Sequence, residues 1–325
     1  MARIPETFER SASPPRHPRE NMIQQTSQLN HAEVVSGRWI VKAIVLVVVC
    51  AGVALYLTVC LLFFQGQWQF TFFPPKGTTP TGASVAAKSG LSITDVRFDT
   101  TEEGVDLLDG WWIPAVRPES SIVVLFCPNG RTDLPENVAA FKAFHALGAN
   151  VFAFDYQGFG RSHVGHPSQN KAYANGSAAM NYLTGMRHIP AARIAVYGAR
   201  IGSAVAVHIA RQSPQIAGLI LADPQPSMKK EVKREQHIHV LPMWLIFRER
   251  FDIAKLLPQL KMPKLVLSTN AMREYASGAA QVYNGSPPPK QMFTIPNAPG
   301  ESVYAQPPWR EAVGNFLTGI SKIGK

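Results

Sequence analysis

The sequence predicts an α/β protein with a mostly parallel, doubly wound sheet, preceded by one transmembrane helix. Short apolar runs alternate with helical stretches from residue 91 to residue 322, as in sheets covered by helices on both faces. A separate run, Ala43 to Phe64, contains 22 residues without a charge, long enough to cross ~30 Å of hydrocarbon. The 325 residues are 46% hydrophobic, which suffices for one large domain with additions.

The N-terminal part predicts a tail and an anchor. Residues 1–37 are polar, rich in Pro, Ser, Gln and Arg, and lack periodicity, so we expect a disordered cytoplasmic tail. Arg38 and Lys42 precede the apolar run, which favours a cytoplasmic N-terminus. We therefore expect a transmembrane helix over 38–66 and an extracytoplasmic domain. A cleaved signal peptide is the competing interpretation, although its apolar part is usually shorter and nearer to residue 1.

The rest of the chain predicts a linker and one domain. Residues 67–90 have the composition of a linker, and the domain covers 91–325. An antiparallel pair is predicted at 91–100 and 105–113 because apolar and polar residues alternate there. The later apolar runs are unbroken, as in central parallel strands; they cover 122–127, 151–156, 194–198, 219–222, 264–268 and 291–295. The helical stretches cover 134–147, 171–186, 201–212 and 307–322.

An insertion at about 225–260 interrupts this alternation. It combines lysines and arginines with the apolar stretch Leu241-Pro242-Met243-Trp244-Leu245-Ile246-Phe247. An insertion after a strand commonly forms a lid in such folds. The sequence leaves two interpretations open: a helix-turn-helix packed on the body, or a lid that touches the membrane.

The segment Gly198-Ala199-Arg200-Ile201-Gly202 has the frame of a nucleophile elbow, G-x-S-x-G, with arginine in place of serine. In that motif a buried strand ends in a sharp turn and a helix begins at once, so that the central side chain is presented at the edge of the sheet. A guanidinium stays protonated and has no lone pair with which to attack a carbonyl. The pattern predicts the scaffold of a serine hydrolase without its nucleophile.

Three further segments give the chain a family resemblance. Phe154 to Ser162 reads FDYQGFGRS, close to the pattern F-D-Y-R-G-x-G-x-S; Pro167-Ser168-Gln169 is similar to P-S-E; and Val124 to Gly130 looks like an oxyanion strand and loop. With the elbow and the preceding helix, the region from about 91 to 320 resembles the α/β-hydrolase superfamily. The resemblance is greatest to its membrane-anchored, Bem46-like branch, and it implies the α/β-hydrolase fold.

The resemblance implies a catalytic triad in the order Ser, Asp or Glu, His, and none of the three positions is filled. Arg200 stands at the nucleophile, Met272 or a near neighbour stands at the acid, and Gly300 aligns best with the histidine. The last histidine of the chain is His239, within the lid. The family's His-Gly pair in the oxyanion loop is here Cys127-Pro128, and proline has no N–H to donate, although the backbone of Asn129 still does.

Other groups offer weak substitutes for the triad. Ser203 lies one helical turn beyond the elbow, where packing is its expected role. His208 lies five residues further on and is expected to be structural, and Asp223 has no imidazole to orient. His237 and His239 lack a third ligand, so no metal is expected. His163 and His166 follow Ser162, and we expect them to be the imidazoles nearest to the site, with a polar loop as the alternative.

The predicted function is a membrane-anchored, non-catalytic binding or interaction module. Its site comprises Gly198, Arg200, Gly202 and Asn129, and its ligand is anionic or acyl because Arg200 stands at a helix N-terminus. Alternatively, Arg200 pairs with Asp223, Glu274 or Glu301 and fills a disused pocket. The competing functions are an esterase, thioesterase or peptidase with a non-standard site, and a structural partner-binding domain whose partner the sequence does not identify.

Composition excludes some function classes. The net charge of +10 is spread along the chain without a zinc-finger or RNP-like motif, so no nucleic-acid partner is expected. The three cysteines have no disulfide or metal spacing. No cofactor is expected.

Overall fold

The structure is a computed structural model, and it describes residues 36–100, 107–117, 121–229, 232, 241–269, 273–296 and 300–323. The chain divides into two compact units, residues 1–59 and 60–325. The first unit is described from residue 36, so the predicted disordered tail lies almost entirely outside the described residues. The second unit contains the sheet, the cores and the site.

Helix α1 spans Gly37–Gly66 and contains the apolar run. The stretch Gly37–Phe70 reaches a mean hydropathy of 2.8 and is, by length and composition, the one helix in the described part of the chain suited to crossing a membrane. Of the residues in α1, Phe63 is buried, and it packs in a small cluster with residues of the lid.

The sheet has eight strands in the order β1-β2-β4-β3-β5-β6-β7-β8. The strands are β1 Thr94–Asp99, β2 Leu107–Ile113, β3 Val123–Cys127, β4 Asn150–Phe154, β5 Ile194–Ala199, β6 Gly218–Ala222, β7 Lys264–Thr269 and β8 Lys290–Ile295. β2 is antiparallel to both β1 and β4, and every other pair is parallel. This is the α/β-hydrolase fold that the sequence predicted.

Helices alternate with the strands along the chain. They are α2 Gly82–Ser89, α3 Val138–Ala146, α4 Gln169–Asn181, α5 Ile201–Gln212, α6 Met243–Ile246, α7 Arg273–Gly285 and α8 Pro307–Ile323. Four of them, α3, α4, α5 and α8, coincide with the predicted helical stretches to within a few residues. The sequence interpretation did not include α7, although its buried positions 275, 278, 279 and 282 have helical spacing.

The core has two layers, one on each face of the sheet. Successive residues of a strand point to opposite faces, and in β3 Leu125 packs in one cluster while Val124 and Phe126 pack in the other. All five residues of β3 are buried, as expected for a central parallel strand.

Residues 67–90 depart from the expected linker. This stretch contains a short 3-10 helix, Gln67–Phe70, and α2. Phe72 is 1% exposed and packs against Tyr156, Phe159 and Phe251. Composition missed this because the segment has a few large apolar anchors among its Pro, Gly and Thr residues, and those anchors bind it to the body of the domain.

The predicted lid packs on the domain in its described part. Phe247, Phe251 and Ile253 are almost fully buried, which fits the interpretation of a segment packed on the body. Trp244 and Leu245 are exposed. The paired histidines, His237 and His239, lie outside the described residues.

Candidate functional site

The turn between β5 and α5 has the geometry of an elbow. Arg200 adopts φ 52° and ψ −113°, a backbone conformation that is strained for a residue with a Cβ. Its N–H donates to the carbonyl of Ala222 in β6 at 2.9 Å, and its carbonyl accepts from the N–H of Ser203 at 3.0 Å. The strained turn is therefore held from both sides, between the end of β5 and the first turn of α5.

The two glycines of the motif are required by close backbone contacts. A Cβ on Gly198 would lie 2.1 Å from the carbonyl oxygen of Gly202, and a Cβ on Gly202 would lie 2.2 Å from that of Cys127. Neither contact can relax by rotation of a side chain because the opposing atoms are backbone. The elbow thus keeps the tight packing of α5 against β3 and β5 that the motif predicts.

A cavity of about 370 Å³ lies beside Arg200, at the lower end of the ~300–1,000 Å³ typical of ligand sites. It opens over the carboxyl ends of β5 to β8. Nine of its sixteen lining residues are apolar or aromatic, and the lining residues are Asn129, Arg131, Thr132, Asn137, Tyr197, Ala199, Arg200, Ala222, Asp223, Leu267, Thr269, Tyr275, Ile295, Val303, Tyr304 and Trp309. The Arg200 side chain therefore lines this cavity without filling it.

Arg200 is held by an aromatic ring and lies close to an acid. Its guanidinium carbon is 4.8 Å from the centroid of the Tyr275 ring, within the range of a cation–π contact. Burial raises the pKa of Asp223, while two hydrogen bonds from Thr269 and the positive charge of Arg200 act in the opposite direction. The backbone N–H of Thr269 donates to Asp223 at 2.7 Å and its hydroxyl donates at 2.5 Å.

The far wall of the cavity is aromatic. The hydroxyls of Tyr197 and Tyr304 are 3.1 Å apart, and the ring of Tyr304 meets that of Trp309 edge-on at 5.3 Å. The indole N–H of Trp309 is buried and has no hydrogen-bond partner in the described structure. A buried donor without an acceptor carries a free-energy cost.

The three positions at which the resemblance implies a triad hold Arg200, Met272 and Gly300. Met272, at the position of the acid, lies outside the described residues. Gly300, at the position of the histidine, begins a 3-10 helix that ends at Ala305. The described histidines are His145, His163, His166, His188 and His208, and none of these five lines the cavity.

Neither His163 nor His166, the imidazoles expected to lie nearest to the site, lines the cavity. Both are exposed, and His166 stacks on Trp68 with ring centroids 4.6 Å apart. The backbone N–H of His163 donates to the carbonyl of Leu107 in β2 at 2.9 Å. This bond ties the loop to β2, three positions away from β5 in the sheet.

Ser203 and His208 have the structural roles that the sequence favoured. The Ser203 side chain is fully buried, and its hydroxyl donates to the Gly198 carbonyl at 2.8 Å, which makes it a brace of the elbow. His208 stacks on Tyr173 at 4.3 Å, and its burial lowers its pKa. Neither residue lines the cavity.

The loop at the position of the oxyanion hole is held by its own hydrogen bonds. The Pro128 carbonyl accepts from the hydroxyl of Tyr156 at 3.0 Å. The side-chain oxygen of Asn129 accepts from the backbone N–H of Arg131 and from the hydroxyl of Thr132. Asn129 lines the cavity, but its side-chain oxygen is already bonded within the loop. Burial raises the pKa of the nearby Cys127 thiol, which disfavours a thiolate.

Sequence reasoning missed most of the aromatic wall. Tyr275, Tyr304 and Trp309 come from α7, the 3-10 helix 300–305 and the start of α8. The helical stripe of α7 could have placed Tyr275 on a buried face. No local signal brings Tyr304 and Trp309 to the elbow, because their positions depend on how α8 packs back on the sheet.

Comparison with known proteins agrees with this fold. Residues 123–284 match the family described as serine aminopeptidase, S33. An uncharacterized protein of Mycobacterium tuberculosis is 30% identical over 221 residues, which cover 68% of this chain and 75% of the relative. Protein bem46 of Schizosaccharomyces pombe is 28% identical over 181 residues, covering 54% of this chain and 60% of the relative.

Among solved structures, the Pyrococcus furiosus esterase Pf2001 superposes with a TM-score of 0.59 at 20% identity, over 76% of this chain and 98% of that chain. At this identity the likeness shows the fold alone.

Proposed function

Since this chain belongs to the α/β-hydrolase superfamily, in its Bem46-like branch, we propose that it is a non-catalytic member that binds an anionic or acyl ligand at the elbow. It performs this role at a membrane, to which α1 anchors it. The bound ligand takes the place that a substrate has in the hydrolytic relatives.

One observation carries the proposal: the elbow keeps its strained backbone while its central side chain is Arg200. The turn retains φ 52° and both tightly packed glycines. Strain of ~1–3 kcal/mol at such a residue persists where the surroundings enforce it. The fold thus presents a fixed guanidinium where an alcohol would otherwise be presented.

The expected loss of catalytic rate argues against hydrolysis. Loss of triad members costs on the order of 10⁴–10⁶ in rate. Here Arg200 replaces the nucleophile, and no described imidazole lines the cavity. Ser203, the nearest hydroxyl in sequence, donates to a backbone carbonyl inside the fold. Without a base, a hydroxyl is a poor nucleophile at neutral pH.

The cavity chemistry favours a carboxylate with an apolar body. Arg200 stands at the N-terminal end of α5, where the helix dipole and the guanidinium both attract anions. The lining is mainly apolar and aromatic, which suits an acyl chain or a ring.

The anchoring part of the proposal depends on α1. The apolar run is long enough to span a bilayer, and Arg38 and Lys42 before it favour a cytoplasmic N-terminus. The domain is then extracytoplasmic.

The ligand part can be tested by thermal denaturation of the full chain in detergent with octanoate, octanol and inorganic phosphate. We expect octanoate to raise the melting temperature of the wild type, and octanol and phosphate to have little effect. Arg200→Ala is expected to lose the octanoate effect. The matched control is Arg187→Ala, because Arg187 also stacks on an aromatic ring, 3.8 Å from Trp112, but does not line this cavity. Equal octanoate effects in wild type and Arg200→Ala would overturn the assignment of the ligand.

The non-catalytic part can be tested with a fluorophosphonate probe, which labels activated serines. We expect no labelling of the purified full chain above a heat-denatured sample. Labelling that disappears in Ser203→Ala would establish the alternative, a hydrolase with a non-standard site.

A further inference from the structure

We propose that the lid turn, residues 243–250, inserts Trp244 and Leu245 into the bilayer surface beside the end of α1. The partner is a lipid surface that contains anionic lipids. This inference rests on the membrane anchoring proposed above, and it adds a second point of membrane contact to the anchor.

The lid turn packs directly on the last turns of α1. Phe63 is 7% exposed, and it shares a buried cluster with Met243 and Phe247. The ring centroids of Phe63 and Phe247 are 6.4 Å apart. Since Phe63 and Phe64 are the last residues of the apolar run, the lid turn lies where the spanning segment ends.

Polar contacts fix the lid turn at this level. The side-chain oxygen of Gln67 accepts from the backbone N–H of Arg248 at 2.6 Å, and its side-chain nitrogen donates to the Phe64 carbonyl at 2.7 Å. The guanidinium of Arg248 lies 4.5 Å from the centroid of the Phe64 ring. Gln67 is itself buried, so the attachment is part of the packed structure.

The outward residues at this place are apolar on both elements. Trp244 is 69% exposed and Leu245 is 63% exposed, while on α1 Leu61 and Leu62 are 55% and 63% exposed. Single exposed apolar residues are common on protein surfaces, but adjacent large apolar side chains beside an apolar helix mark an interaction surface. An exposed tryptophan next to a leucine is typical of a segment in the membrane interface.

Two backbone carbonyls of the lid turn accept hydrogen bonds from a side chain, as a place with little water requires. Nε of Arg250 donates to the Phe247 carbonyl at 3.1 Å, and Nη2 of Arg250 donates to the Trp244 carbonyl at 2.9 Å. Carbonyls that lack a partner are costly to bury in lipid. Arg250 satisfies two of them while its charge stays at the surface, as expected of an arginine at the headgroup level.

The charge of the lid turn suits an anionic surface. Arg248 and Arg250 are exposed, whereas Glu249 between them is buried and accepts a hydrogen bond from the backbone N–H of Gln169. The exposed charge of residues 243–250 is thus positive. Such a pair of cations beside an apolar turn is attracted to anionic headgroups.

The test uses the full chain in proteoliposomes of phosphatidylcholine and phosphatidylglycerol with nitroxide-labelled lipids. Cys50 and Cys60 are replaced by alanine, while Cys127 can stay because it is buried. An environment-sensitive fluorophore is then placed on a single cysteine at Trp244, at Leu245, at Leu55 in α1, or at Val116. Val116 is the matched control, an apolar residue that is 84% exposed and follows β2 at the opposite edge of the sheet from the elbow.

We expect the probes at 244, 245 and 55 to shift to shorter emission wavelengths and to be quenched by the nitroxide lipids, and the probe at 116 to be unaffected. Quenching at 55 together with signals at 244 and 245 equal to that at 116 would overturn the lid contact and leave the anchor standing. Absence of quenching at 55 would overturn the anchoring itself, and the lid contact with it.

Discussion

The guanidinium carbon of Arg200 lies 4.8 Å from the centroid of the Tyr275 ring, so the centre of the elbow is supported by a residue of α7. Tyr275 is 7% exposed and lines the same cavity. The ring holds the guanidinium at the cavity, beside Asp223, whose carboxyl group interacts with the same positive charge. The proposed anion site therefore depends on Tyr275 to hold the guanidinium in place.

Replacing Tyr275 by leucine should therefore weaken ligand binding while Tyr275→Phe should retain most of it. A cation–π contact is worth ~0.5–2 kcal/mol, so we expect octanoate affinity to fall by roughly twofold to thirtyfold in Tyr275→Leu. Isothermal titration of the full chain measures the change. Equal losses in the two variants would show that the tyrosine hydroxyl, and not the ring face, supports the site.

The packing of Gly202 against Cys127 predicts a large loss of stability in Gly202→Ala. The added Cβ would lie 2.2 Å from the Cys127 carbonyl oxygen, and relief requires α5 to move away from β3. We expect the free energy of unfolding to fall by more than ~3 kcal/mol, in the range of severe core substitutions.

The matched control is Gly319→Ala in α8, where a Cβ would meet no atom within 4 Å. Alanine is favoured over glycine in a helix by ~0.5–1 kcal/mol, so this control should be neutral or stabilising. Chemical denaturation followed by circular dichroism compares the two variants. A loss of under ~1 kcal/mol in Gly202→Ala would mean that the turn is less tightly packed than its contacts indicate.

The sequence predicts the fold better than the site, for physical reasons. Central strands such as 123–127 are buried on both faces, so they appear as unbroken apolar runs. The elbow is equally visible because its glycines are demanded by local backbone contacts. The position of His163 was not visible, because it depends on a hydrogen bond to Leu107 in a distant strand. Trp309 likewise reaches the cavity through long-range packing of α8.

Restoring the serine alone should not create a hydrolase. Arg200→Ser supplies an alcohol on a strained turn, yet no described histidine lines the cavity to accept its proton. We expect p-nitrophenyl butyrate hydrolysis to stay at the level of the wild type, since an unassisted serine is a weak nucleophile. Labelling with a fluorophosphonate probe would detect any activated serine. A clear rise in turnover would reveal a base supplied by residues outside the described part of the chain.

Asp155 predicts a specific dependence of stability on pH. The residue follows β4 and is fully buried; burial, reinforced by Asp133, Asp109 and Glu136, raises its pKa well above the ordinary value of 3.8, and a backbone hydrogen bond from Leu134 acts in the opposite direction. The folded protein therefore keeps this proton to a higher pH than the unfolded chain does. Its contribution to the free energy of unfolding is present below pH 3.8 and decreases as pH rises above that value, until the folded group ionises.

Asp155→Asn should remove this contribution, because asparagine has a similar shape and no ionisation. We expect the decline in stability between mildly acidic and mildly alkaline pH to become shallower in this variant than in the wild type. Denaturation midpoints at several pH values measure the slope. Asp252→Asn, which changes an exposed carboxylate, is the control. An unchanged slope in Asp155→Asn would place the origin of the pH dependence in other buried acids, such as Asp109 or Glu249.

Gln67 joins the end of α1 to the lid, which predicts that Gln67→Ala loosens the lid turn. The substitution removes the acceptor for the Arg248 N–H and the donor to the Phe64 carbonyl. A buried backbone group left without its partner costs ~1–3 kcal/mol, and local opening of the lid should become about fivefold to a hundredfold more frequent.

Trypsin cleavage after Arg248 and Arg250 reports this opening, because both bonds are protected while the turn is packed. We expect faster cleavage at these two positions in Gln67→Ala, with cleavage in the rest of the domain unchanged. Gln69→Ala is the control, since Gln69 lies two residues further on and is exposed. Equal cleavage in both variants would mean that the apolar contact between Phe63 and Phe247 is sufficient to hold the lid on α1.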